Sequence, residues 1–275
     1  LIGSNCGITE TTGTGLIGLG KGALQSSSGS YNTAIGVSAL SNITGNHNVG
    51  IGRNTAAGLG ASNYCTAIGD YALDATSSAD NNTAVGYNAL TDNTTGHVNT
   101  AVGTSSCKAN TTGAGLTAVG WGSLYKNTTA SDNTAFGSAA LYENTTGDSN
   151  VAIGHNCMEN NTTGEGQTAV GKSALFNNTT GYYNTAVGDD SLYTCTTGLK
   201  NIAVGRAALY NLTNGLVNVA IGYNCGNALT TGDNNTFLGY DAGTASSPTG
   251  NITTQDNFIC LGNNDVDYLY CATST

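Results

Sequence analysis

Charge is scarce in this chain, at 9% of residues, and positive charge scarcest of all: 7 Lys and Arg stand against 17 Asp and Glu, for a formal net charge of −10. Without a basic stripe to neutralise phosphates, neither nucleic acid nor an anionic membrane surface is an expected partner. No apolar run approaches the roughly 18 residues of a membrane-spanning helix, so no membrane insertion is expected. Proline occurs once. The eight cysteines contain no CxxC pair and no zinc spacing. His47, His97 and His155 form no constellation, and a solvated loop is the default reading of His47 and His97. Asp189-Asp190 would hold a cation only weakly, since no GGxGxD calcium repeat accompanies it. No acidic cluster recurs in neighbouring units, so the expectation is a non-enzyme without a cofactor. The first residues, Leu1-Ile2-Gly3-Ser4, carry no signal-peptide core and enter in mid-repeat, which suggests a piece of something longer.

What the chain does have is glycine, 40 residues of it, and a hydrophobic fraction of 39%. The apolar content argues against disorder. It consists mostly of Ala, Val, Ile and Leu, which calls for a regular architecture that buries short side chains throughout. The phrase Asn-Thr-Ala-Val-Gly recurs, and its glycine sets a ruler: Gly52, Gly69, Gly86, Gly103, Gly120, Gly137, Gly154, Gly171, Gly188, Gly205, Gly222 and Gly239 are each 17 apart. Gly3, Gly20 and Gly36 continue it backwards, with steps of 16 from Gly20 to Gly36 and from Gly36 to Gly52. Asn82 to Gly96, NTAVGYNALTDNTTG, is a representative unit. Glycine twice per unit and the absence of a 3.6 period exclude helix. The expected fold is all-β: a parallel β-solenoid (β-roll or β-helix) of 17-residue coils. Each coil would hold two or three short strands and turn at Asn-Thr-Thr-Gly, where glycine would supply positive φ. About fifteen coils at ~4.8 Å each give a rod on the order of 70 Å long.

Aligned on that glycine, the units become columns. The position before it is apolar throughout, as in Ile35, Val85, Val119, Phe136 and Leu238, and the position two before is nearly always Ala, as in Ala84 and Ala118. Alternation puts these on opposite sides of a strand. The expectation is that Val and Ile fill the lumen while the Ala/Gly side forms a seam between chains, most simply in an intertwined or side-by-side homotrimer. The position three before exchanges Thr with Val and Ile, which speaks for a β-branched shape rather than for an ice-binding hydroxyl array. Trp121, Tyr125, Tyr142, Phe176, Tyr193 and Tyr210 are candidate glycan contacts, with a stabilising aromatic ladder as the competing reading. Cys6, Cys157 and Cys225 read as small buried side chains, and Cys260–Cys271 is the only plausible intrachain disulfide. The Asn-x-Thr sequons at Asn93, Asn110, Asn127, Asn144, Asn161 and Asn178 are a by-product of the turn.

The ruler breaks after Gly239, and the next comparable glycine is Gly262. The chain thus divides into a shaft, residues 1–239, and an irregular cap or tip, residues 240–275. The Asn-Thr-Ala-Val-Gly units resemble the repeats of phage tail fibres. Val151-Ala152-Ile153-Gly154 and Val219-Ala220-Ile221-Gly222 are also similar to the coils of trimeric autotransporter adhesin heads. Phe258 to Thr275 resembles the stretch that precedes the self-cleaving intramolecular chaperone of phage tail fibres and tailspikes. These resemblances imply a homotrimeric, virion-borne attachment fibre that meets other fibre or tail proteins at its N-terminal end and a host-surface glycan or other receptor elsewhere. The alternatives are a bacterial cell-surface adhesin or extracellular glycosylated filament and, less favoured, a polysaccharide-cleaving β-helix or an ice-binding solenoid.

Overall fold

A computed structural model describes residues 2–7, 12–75 and 77–266. Fifteen three-residue strands, β1 (Ile17–Leu19) to β15 (Ile259–Leu261), form one parallel sheet in strict chain order. Each strand meets the next in register: Thr83, Ala84 and Val85 lie beside Thr100, Ala101 and Val102. A bridge from Ile2 to Leu19 extends the sheet one coil further. Each coil contributes one strand rather than two or three, and the rest of it is turns.

The strand burial reverses the expected parity. The central residue of each strand is buried: Ala in most, as at Ala34, Ala67, Ala84, Ala101, Ala118, Ala135 and Ala152, with Gly18, Gly50, Phe237 and Cys260 in the others. The flanking Thr and Val or Ile point outwards, with Phe136 left 55% exposed. Leucine explains why. Leu73, Leu90, Leu124, Leu141 and Leu175, four residues past the column glycine, are fully buried and supply the bulk of the core. Little more than a methyl group fits beneath the strand: at Gly50, which replaces Ala in this column, an added Cβ would lie 2.9 Å from Leu40 Cγ. The lumen therefore holds Ala and Leu, and the Ala column is not an interchain seam.

Coil corners use left-handed backbone at non-glycine residues, as at Asn88 (φ 55°), Leu90 (φ 51°) and Val98 (φ 59°), and the pattern repeats along the rod. Such conformations cost on the order of 1–2 kcal/mol each for L-residues, which coil-to-coil bonds such as Leu90 N–H to Ser106 C=O at 3.0 Å offset. The Gly of Asn-Thr-Thr-Gly, by contrast, has no positive φ among the described residues. Gly147 is needed for space, because an added Cβ would crowd Gly164 C=O and come within 2.8 Å of Asn144 Oδ1.

Two internal amide ladders bind the coils. In one, Asn82 Oδ1 accepts from Asn99 N–H at 2.9 Å while Asn82 Nδ2 donates to Gly96 C=O at 2.9 Å. In the other, Asn110 Nδ2 donates to Asn93 Oδ1 at 2.8 Å and Asn127 Nδ2 to Asn110 Oδ1 at 2.9 Å. These Asn residues are fully buried, and buried amides are stable only when paired. Gln167 interrupts the pattern. Its longer side chain reaches Asn178 Oδ1 at 2.7 Å, leaving Asn161 Oδ1 and Asn178 Nδ2 without partners.

Candidate functional site

Three surfaces offer chemistry. The first is the outward face of the sheet. Every large exposed apolar side chain among the described residues, Val266 excepted, lies between six residues before and one residue after the column glycine. Ile35, Ile68, Phe136, Ile153, Ile221 and Leu238 run up its centre, flanked by Tyr64, Val98, Trp121 and Val217. The strand threonines beside them, Thr83, Thr100, Thr117, Thr134, Thr168 and Thr185, point to the same side but lend no hydroxyl to a hydrogen bond among the described residues. The turn threonines behave oppositely: Thr94 Oγ1 donates to Thr111 C=O at 2.9 Å, and Thr111 Oγ1 to Thr128 C=O at 2.9 Å. The whole face is about 70 Å long and 10–15 Å wide, on the order of 700–1,000 Å². The largest apolar patch on an ordinary monomer is about 300–600 Å².

The second surface carries the aromatic candidates. Tyr125 and Tyr142 stack with centroids 4.8 Å apart and 1° between planes. Phe176 stacks on Tyr193 at 5.2 Å, and Tyr193 on Tyr210 at 5.0 Å. The ring faces that a sugar would use are thus turned towards one another, and Lys108 Nζ sits 5.6 Å from the Tyr125 centroid. Trp121 stacks more loosely on Tyr142, with centroids 6.0 Å apart and 22° between planes, and is largely exposed. Glu159 separates the two stacks. Desolvation, with Glu143 nearby, holds its carboxyl above the ordinary carboxylate range. Another stack, Tyr31–His47–Tyr64 at 4.9 and 5.2 Å, lies at the sheet's edge. Sequence reading missed it because the column otherwise varies freely.

The third surface is the tip. The longer step from Gly239 to Gly262 inserts a loop that is ordered by buried Ala242, Ser247 and Ile252. Ser247 Oγ donates to Thr244 C=O at 2.9 Å, and Ile252 N–H to Gly243 C=O at 3.0 Å. Under the loop, Phe237 takes the lumen position usual for Ala. Glycine replaces Leu at Gly226 and Gly243, where an added Cβ would collide with the Phe237 ring. The sheet continues past the insertion, since β14 (Thr236–Leu238) pairs with β15. Residues 240–262 thus include a further coil, and residues 267–275 lie outside the described residues.

Five buried cysteines, Cys65, Cys107, Cys157, Cys195 and Cys225, are poor nucleophiles. Cys107, Cys157 and Cys195 are fully buried free thiols, and Cys6 is half-buried. Burial pushes Cys157 and Cys225 up to about 12 and Cys65 and Cys195 to about 11. Cys260 is a buried free thiol, and Cys271 lies outside the described residues. The sequon residues Asn93, Asn110, Asn127, Asn144, Asn161 and Asn178 are fully buried, in the ladder rather than on the surface. No group of three or more His, Cys, Asp or Glu is placed to hold a metal among the described residues. No family model, curated protein or solved structure matches this chain.

Proposed function

We propose that this chain is a structural and adhesive rod that self-associates through the outward Thr/Val/Ile face, most simply as a homotrimer, in the manner of a phage tail fibre attached to a virion. One observation carries the reading: an apolar residue stands before the column glycine in every coil, and most of those that are Ile, Leu or Phe remain exposed on the outward face. Its area is close to the ~800 Å² per partner of a standard interface. Water is a poor permanent neighbour for such a surface, and a second copy with the same repeat is its natural complement in length and register. Weak receptor contacts would then be multiplied by the copies in the rod. A bacterial surface adhesin of the same architecture shares this physics and differs only in its anchor.

The unpaired strand hydroxyls favour a second reading, a single-chain solenoid whose open face orders water as an ice-binding surface. In a seam those hydroxyls need partners across the chains or through water, because burying them unpaired costs free energy. The native mass by light scattering separates the two. A value near 3 × 27.5 ≈ 82 kDa supports the trimeric rod. A value of 27.5 kDa removes it and makes thermal hysteresis the next assay.

A further inference from the structure

We propose that the cleft under the inserted tip loop is a binding site for a neutral saccharide. The proposal rests on the adhesive-rod reading and gives that rod a receptor contact. The regular coils repeat the same surface, whereas specificity needs a unique one, and the insertion creates the clearest departure from the repeat. The cleft has a volume of about 470 Å³, within the ~300–1,000 Å³ range of small-ligand sites.

Apart from Ala228 and Ala245 its lining is amide and hydroxyl, notably Asn211, Asn224, Ser246 and Asn251, with Asp241 the single charged group. Several of these groups are already oriented. Asn224 Nδ2 donates to Asp241 Oδ1 at 2.6 Å, and Asn211 Nδ2 donates to Asn227 C=O at 2.9 Å. Among the described residues no hydrogen bond involves the Asn251 amide, Ser246 Oγ or Thr253 Oγ1, so these lining residues keep donors and acceptors uncommitted. That mixture matches the paired donor–acceptor character of sugar hydroxyls.

Charge narrows the class further. No cation lines the cleft, and with Asp241 present a sulfated, phosphorylated or sialylated glycan would be repelled. Tyr240, directly before Asp241, is 57% exposed and stacked on Tyr223 at 5.5 Å. It lies beside the cleft on the sheet face and is not part of the cleft lining. The loop is anchored from below by Phe237, Ile252 and Ser247, so the site is formed before ligand arrives. It also lies off the sheet face, and a seam through that face would leave it open on every copy.

The test is an array of immobilised neutral oligosaccharides (hexose and N-acetylhexosamine) beside sialylated and sulfated ones, probed with the full chain. Binding to at least one neutral glycan is expected, with anionic glycans silent. Asn251→Ala and Ser246→Ala, both at exposed positions, should each weaken it at least tenfold with thermal melting unchanged, whereas Trp121→Ala should leave it intact. Binding only to anionic glycans, binding to none, or full binding by the Asn251→Ala/Ser246→Ala double variant would overturn the proposal. A native mass near three chains alongside such a result would show that the cleft assignment failed while the rod stands. A monomer would remove the rod reading instead.

Discussion

Phe136 is the sharpest probe of the proposed seam. It sits in register between Val119 and Ile153 on the outward face, with 55% of its surface still in contact with solvent. A phenylalanine has roughly 200 Å² to bury, so a seam would remove about 110 Å² more from water. At ~25 cal/mol per Å² this amounts to ~2.7 kcal/mol per chain, or about 8 kcal/mol for a trimer. Replacing it by Thr introduces a β-branched residue that strands accept and forfeits most of that term. Because ~1.4 kcal/mol is a factor of ten and a trimer's midpoint concentration varies as the square root of its dissociation constant, losing most of the ~8 kcal/mol should raise the dissociation midpoint by about two to three orders of magnitude. Sedimentation velocity over a dilution series, from about 10 μM to 10 nM, reads this directly, and circular dichroism of the dissociated chain checks that the solenoid is intact. If Phe136→Thr and the parent dissociate at the same concentration, the face is not the seam and the argument from exposed area is wrong.

Other consequences follow from the interior. Gln167→Asn should restore the amide ladder by freeing Asn178 Oδ1, and so raise stability by about 1 kcal/mol, measured as an upward shift in the denaturation midpoint; an unchanged or lower midpoint would show that the unpaired atoms carry no cost. Gly120→Ala should open the rod locally. Its φ is +134° and an added Cβ would lie 2.6 Å from the Gly137 carbonyl carbon, so strain of about 1–3 kcal/mol adds to a backbone collision; hydrogen exchange should accelerate around β7 (Thr117–Val119) and β8 (Thr134–Phe136), and uniform protection would refute this. The buried thiols should make the fold alkali-sensitive. Their folded values lie above the ordinary 9.0, so the unfolded chain ionises first. The stability they contribute is full below about pH 9 and is lost as pH rises towards 11–12, which urea melts across that window would detect. A thiol reagent at pH 8 should leave Cys65, Cys107, Cys157, Cys195 and Cys225 unmodified until denaturant is added.

The periodicity of the sequence is enough to establish stacking, strand position and the identity of every column. A residue that recurs at one offset, such as the Ala of Thr83-Ala84-Val85, must meet its own kind in the next coil. Periodicity also exposed the insertion after Gly239, since a broken ruler is visible without coordinates. What it left open was the side of the strand that faces inward. Alternation is symmetric, and Ala and Val are both plausible in a lumen. The decision came from Leu90 and its equivalents, whose left-handed backbone swings them beneath the strand and leaves room there only for a methyl group. Spacing likewise could not tell that the aromatic rings of Tyr125, Tyr142, Phe176, Tyr193 and Tyr210 turn their faces to one another, or that Asn251 and Asp241 line one cleft. Those outcomes depend on contacts between coils and on a loop without a repeating partner, so only the folded chain decides them.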